Sequence, residues 1–151
     1  MKNKPIISLF ACTLLAACAL ACSAGGRSGD GGAKPVKLDR ERFLTEVYDF
    51  RSETEWKYLG DKPALIDFYA VWCAPCRRVA PILDSLAEEY DGRIVIYKVD
   101  ADREAELSAL FDISAVPTLV FVPVGGRPQA VQGAMDRNAL KAAIERILLK
   151  K

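Results

Sequence analysis

The segment ALIDFYA, Ala64 to Ala70, is nearly continuous in apolar residues and has the length of a strand. A strand that is apolar on both faces must be covered on both, which directs the chain toward a sheet with helices packed above and below. The residues that follow supply one such cover, because Val79, Ile82, Leu83 and Leu86 recur at helical spacing. RIVIYKVD, residues 93–100, reads as a second buried strand and TLVFVP, residues 118–123, as a third. QAVQG, residues 129–133, then pairs antiparallel with the third across the turn VGGRP. Asp39 caps a helix through RERFLTEVYDF with Phe43, Leu44 and Val47 on one face. Asp102 caps another that buries Leu107, Leu110 and Phe111, and a closing helix starts near Asp136 with Leu140, Ile144, Ile147 and Leu148 in one stripe. RSETEWKYLGDKP, residues 51–63, reads as a polar connection. Strand and helix alternating, then a hairpin and a closing helix, give a mixed sheet with helices on both sides.

The first 22 residues, MKNKPIISLFACTLLAACALAC, open on Lys2 and Lys4 and continue in an uncharged apolar run from Ile6 to Ala21. This is the pattern of a secretory signal. The run falls short of the roughly 20 apolar residues that cross a bilayer, and nothing basic follows closely enough to stop transfer; a retained anchor is the alternative. LAAC, Leu15 to Cys18, resembles the lipobox of bacterial lipoproteins, in which the cysteine is lipidated and becomes the mature N-terminus. ALAC, Ala19 to Cys22, is the rival, and it also fits ordinary cleavage after Ala21. Residues 23–35, SAGGRSGDGGAKP, hold five of the ten glycines and almost nothing apolar, as a flexible tether or plain leader does. Residues 36–151 remain as one domain, the usual size for a single core.

Within that domain the only cysteines are Cys73 and Cys76, at the junction of a strand and a helix. A structural zinc site needs about four ligands, whereas the other cysteines, Cys12, Cys18 and Cys22, fall in the leader and the chain has no histidine. A static disulfide suits an exported chain, but so small a loop removes little unfolded-chain entropy. A redox pair explains more. At a helix N-terminus unpaired amides and the helix dipole favour a thiolate, which makes Cys73 the nucleophile and Cys76 the resolving thiol. The missing histidine also removes the commonest general base of hydrolases. With 21 basic against 20 acidic residues, charge points neither to nucleic acid nor to a membrane surface.

WCAPC, Trp72 to Cys76, resembles the active-site motif of the thioredoxin family, with alanine where glycine is usual. The likeness runs from about Val36 to Leu149 and takes in Asp67, Pro81, VPT at Val116 to Thr118, and Gly133 with Ala134. More narrowly, WKYLGDKPALIDFYAVWC is similar to exported thioredoxins of Bacteroidetes-type bacteria. The resemblance implies a thioredoxin-like α/β fold, a mixed central sheet of about five strands with about four flanking helices. It further implies an exported thiol-disulfide oxidoreductase, located in the periplasm or cell envelope and lipid-anchored, that reduces protein disulfides. Its partners would be disulfide-containing proteins and a membrane electron donor, and it would act as a monomer with no cofactor beyond its own dithiol.

By the same resemblance Asp67 moves a proton for Cys76, as a desolvated carboxyl with a raised pKa can; the alternative is a carboxylate at a solvated strand end. Lys98 tunes that titration, or is a plain surface lysine. Pro117 matches the family's cis-proline facing the disulfide, with Val116 offering its backbone to an extended peptide. Trp72, Ala74, Pro75, Gly133 and Ala134 complete the substrate surface, and Pro81 kinks its helix. Tyr69 departs from the family's usual tryptophan. The same fold acting as a disulfide oxidant or isomerase, or as a redox-inactive peptide-binding module, is the alternative; strong oxidants of this kind carry histidine between the cysteines, where this chain has Ala74 and Pro75.

Overall fold

A computed structural model describes residues 34–150, so the leader, most of the tether and the cysteines Cys12, Cys18 and Cys22 lie outside the described residues. Five strands and four helices alternate: β1 (Val36–Lys37), α1 (Arg40–Glu46), β2 (Ala64–Tyr69), α2 (Ala74–Glu89), β3 (Val95–Asp100), α3 (Ala105–Leu110), β4 (Thr118–Val122), β5 (Gln129–Gln132) and α4 (Arg137–Ala143). A π-helical turn, Ile144–Leu148, continues α4. The sheet order is β1-β3-β2-β4-β5. β1, β3 and β2 run parallel, while β4 and β5 are antiparallel to their neighbours.

β2 lies at the centre, and its alternation divides the core. Leu65 joins Ile96, Leu119 and Phe121 under α2 and α4, against Val79, Leu83, Leu86, Leu140 and Ile144. Ile66 and Phe68 point the other way, to Phe43, Val47, Val99, Leu107 and Val120 beneath α1 and α3. A β2 residue therefore finds apolar partners whichever face it takes, which is why the segment lacks the alternation of a half-solvated strand. Truncating a side chain that covers β2, Leu83→Ala in α2 for example, would cost about 2–5 kcal/mol.

The expected caps at two helices are present: Asp39 accepts the N–H of Arg42, and Asp136 that of Ala139. Other expectations need correction. α1 stops at Glu46, because the N–H groups of both Val47 and Tyr48 converge on the carbonyl of Phe43. The chain then turns so that Phe50 packs on Phe43 with ring centroids 6.1 Å apart. The connection after it is not merely polar. Trp56 stacks on Tyr48 at 4.8 Å, Tyr58 donates its hydroxyl to the Lys62 carbonyl at 2.6 Å, and both rings cover the α1 side of the core.

Asp102 does not cap α3. The N-cap is Glu104, which makes no side-chain capping bond, and Asp102 stands too early because residues 101–103 form a turn in which its N–H bonds Asp100 Oδ1. Leu110 is 39% exposed. Its place on the core is taken by Ile113, after the chain reverses at Asp112 with φ of 52°. β1 has too few residues for any periodicity to be read from sequence; it is held by its pairing of Val36 with Tyr97 and Lys37 with Lys98.

Candidate active site

Cys73 leaves the loop after β2 and is the N-cap of α2. Its backbone is extended, and its Sγ accepts the N–H of Cys76 at 3.2 Å, in the position that a serine or aspartate oxygen takes at other helix starts. Pro75 lies in the first turn, where a missing N–H removes no helical bond. Cys73 and Cys76 are joined in a disulfide with Cα atoms 5.3 Å apart. Both are buried, clustered with Ala70 and packed by Tyr69 and Val116. α2 carries no acid in its first turn, so the helix dipole favours negative charge on the Cys73 sulfur.

The loop before β4 faces this sulfur. The Val116–Pro117 peptide bond is cis, and the Val116 carbonyl oxygen lies 3.7 Å from Cys73 Sγ. Thr118 steadies the loop by donating its hydroxyl to the Ala115 carbonyl at 2.7 Å. From the end of β5, Gly133 donates its N–H to the Pro117 carbonyl at 2.8 Å with φ of +100°, a conformation strained for any residue with a Cβ. Val116, Pro117 and Gly133 thus converge beside the disulfide, with Ala134 exposed next in the chain. On the other side Trp72 is 68% exposed and donates its indole N–H to Asp102 Oδ2 at 2.9 Å. Ala74 is exposed and Pro75 half-buried at the helix start. Pro81 lies inside α2, which runs unbroken from Ala74 to Glu89.

Asp67 is 1% exposed and belongs to the α2 side of β2, not to a solvated strand end. Its Oδ1 is buried with no hydrogen-bond partner. Burial pushes its pKa up to about 6, and the nearby Lys98 ammonium draws it part of the way back. A cleft of about 220 Å³ opens here, lined among others by Asp67, Cys76, Lys98, Tyr69 and Arg77. The buried carboxyl and the second cysteine therefore share one space. Sequence reading alone did not bring Arg77 or Tyr69 to this cleft, nor Asp102 to Trp72. For Tyr69 the period-two spacing from Asp67 was the available signal; for Asp102 there was none, since the contact spans 30 residues.

The thioredoxin family profile matches residues 42–146 of this chain. It belongs to the thioredoxin family. A thioredoxin of Borreliella burgdorferi is 38% identical over 110 residues, covering 73% of this chain and 94% of that relative. Among solved structures, a mutant thioredoxin from Halobacterium salinarum superposes with a TM-score of 0.62 at 31% identity, covering 78% of this chain and 93% of the other. A chloroplastic thioredoxin z superposes with a TM-score of 0.63 at 28% identity, covering 76% and 94%. The five-stranded mixed sheet and four helices are those of thioredoxins. Thioredoxins are thiol-disulfide oxidoreductases that act on disulfide-containing proteins, and this chain is one, with Cys73 and Cys76 as its pair.

Proposed function

We propose that this thioredoxin works as an exported reductase of protein disulfides, tethered to the cell envelope by a lipid and recharged by a membrane electron donor. The Cys73 thiolate attacks one sulfur of a substrate disulfide. A mixed disulfide forms and the other substrate sulfur leaves as a thiolate. Cys76, deprotonated by Asp67 through the shared cleft, attacks Cys73 Sγ. The second substrate sulfur leaves, both substrate cysteines end reduced, and Cys73 and Cys76 end as a disulfide; the dithiol carries the two electrons with no other cofactor. Lys98 tunes the Asp67 proton. Trp72, Ala74, Pro75, Val116, Pro117, Gly133 and Ala134 form the surface on which an extended peptide lies.

The observation that carries the reducing direction is the start of α2. Among the described residues the one N–H that meets the Cys73 sulfur there is that of Cys76, while Ala74 and Pro75 add neither charge nor a side-chain donor. Extra donors at that sulfur would stabilise the thiolate and hence the reduced form, making the protein an oxidant. Export and the lipid rest on the leader, with Cys18 as the modified residue ahead of Cys22, residues 23–35 as tether and residues 36–151 as the working domain. The likeness of WKYLGDKPALIDFYAVWC to exported Bacteroidetes-type thioredoxins points the same way. Action as a monomer is part of the reading.

Equilibration of the protein with glutathione tests the direction. A midpoint potential below about −200 mV, together with Cys73-dependent reduction of insulin by dithiothreitol, is the expected outcome. A potential near about −120 mV makes the protein an oxidant. Absence of any Cys73-dependent rate makes it a peptide-binding module.

A further inference from the structure

Asp67 and Tyr69 lie two residues apart on the same face of β2, and in the parallel pairing Asp67 stands beside Lys98 and Tyr69 beside Asp100. Lys98 on β3 therefore has two groups within reach, the neighbouring carboxyl and the diagonal aromatic ring. Its ammonium lies 5.1 Å from the centroid of the Tyr69 ring. Among the described residues no ion pair joins it to Asp67, whose Oδ1 has no hydrogen-bond partner. Ring and carboxyl compete for one cation, and the ring holds it.

We propose that Tyr69 is a positioning residue: its ring seats the Lys98 ammonium on the wall of the cleft and holds it short of an ion pair with Asp67, so that the carboxyl keeps the proton a direct salt bridge would drive off. The other groups around Asp67 do not supply a competing cation. Arg77 of α2 lines the same cleft, but its guanidinium is turned to the Val71 carbonyl at 3.4 Å. Asp100 of β3 is matched by Arg103 at 3.5 Å. Cys76 of α2 is uncharged in the disulfide, and β4 presents Leu119, which is apolar. Lys98 is the cation free to move, and Tyr69 decides where it rests. The consequence for turnover rests on Asp67 being the proton carrier for Cys76, whereas the titration of Asp67 does not.

The test is the titration midpoint of Asp67 in the oxidised protein, read from its carboxyl carbon by NMR. Tyr69→Leu removes the ring and should lower the midpoint by about half a pH unit or more, as an ammonium within about 4–6 Å of a carboxylate does. Tyr69→Phe and Tyr69→Trp keep a ring face and should keep the midpoint. Lys98→Met should raise it, and Tyr69→Leu added to Lys98→Met should move it no further. An unchanged or raised midpoint in Tyr69→Leu overturns the proposal. So does an equal fall in the Lys98→Met background, which assigns the shift to water entering the cleft. The pH profile of insulin reduction by Tyr69→Leu is the separate measure: if it stays in place while the midpoint falls, the placement of Lys98 by Tyr69 stands and the proton-carrier reading fails.

Discussion

Trp72 donates its indole N–H to Asp102 at 2.9 Å, tying the residue before the nucleophile to the turn after β3. The indole is held from one edge while its body stands out in solvent, a large apolar surface fixed beside the disulfide. Asp102→Ala should release the ring and lower kcat/KM for insulin reduction roughly three- to tenfold, the worth of about 1 kcal/mol of hydrogen bond. The melting temperature should hardly change, because the bond is exposed. Asp102→Asn retains an acceptor and should recover most of the rate. Steady-state kinetics with Trp72 fluorescence as a reporter checks this, and an unchanged rate in Asp102→Ala would remove Trp72 orientation from the account.

The two cysteines differ in what surrounds them. Cys73 caps α2 and faces the Val116 carbonyl, whereas Cys76 lies one turn in and lines the Asp67 cleft. In the reduced protein iodoacetamide should therefore label Cys73 at least about tenfold faster, since the thiolate is the reactive form. Cys76→Ser should accumulate mixed disulfides with substrate, and Cys73→Ser should not. Equal labelling, or trapping by the other variant, would reverse the assignment.

How much of this was legible in sequence depends on how far each interaction reaches along the chain. β2 could be read because both of its faces are covered, and α1 and α4 because Asp39 and Asp136 bond amides three residues ahead. The cysteine pair at a strand-to-helix junction placed the chemistry, since the cap is local as well. What could not be read is set by register. The resemblance had set Lys98 near Asp67, but Lys98 meets the Tyr69 ring only because β3 pairs with β2 in one alignment, and Asp102 meets Trp72 only through the turn that ends β3. Leu110 was misplaced because α3 is short: it ends at Leu110 and the chain reverses at Asp112, so the core contact passes to Ile113.

The leader carries a prediction of its own. If Cys18 carries the proposed acyl chain, that chain supplies membrane affinity that a glycine-rich tether cannot, so the full-length protein expressed with its leader should enter the detergent phase on Triton X-114 partitioning. Cys18→Ala should move it to the aqueous phase and Cys22→Ala should not. The opposite pattern would place the lipid on Cys22, and an aqueous wild type would favour plain cleavage.

Asp67 ties function to stability. Its pKa in the fold is about 6 against an ordinary value of 3.8, raised chiefly by burial. Between those two values the folded state holds a proton that the unfolded chain has released, so stability falls as pH rises through this window and then levels off. Ionising the buried carboxyl at neutral pH therefore costs up to about 3 kcal/mol, from a shift of about 2 units at 1.36 kcal/mol each. Asp67→Asn keeps the shape without the charge. It should be more stable than the parent at pH 7.5 by about 1–3 kcal/mol in urea unfolding of the oxidised protein, and nearly equal to it at pH 4. If Asp67 takes the Cys76 proton as proposed, the same variant should also reduce insulin more slowly near neutral pH. Equal stability at both pH values would mean that the carboxylate is solvated in the native state, and an unchanged rate would mean that Cys76 loses its proton by another route.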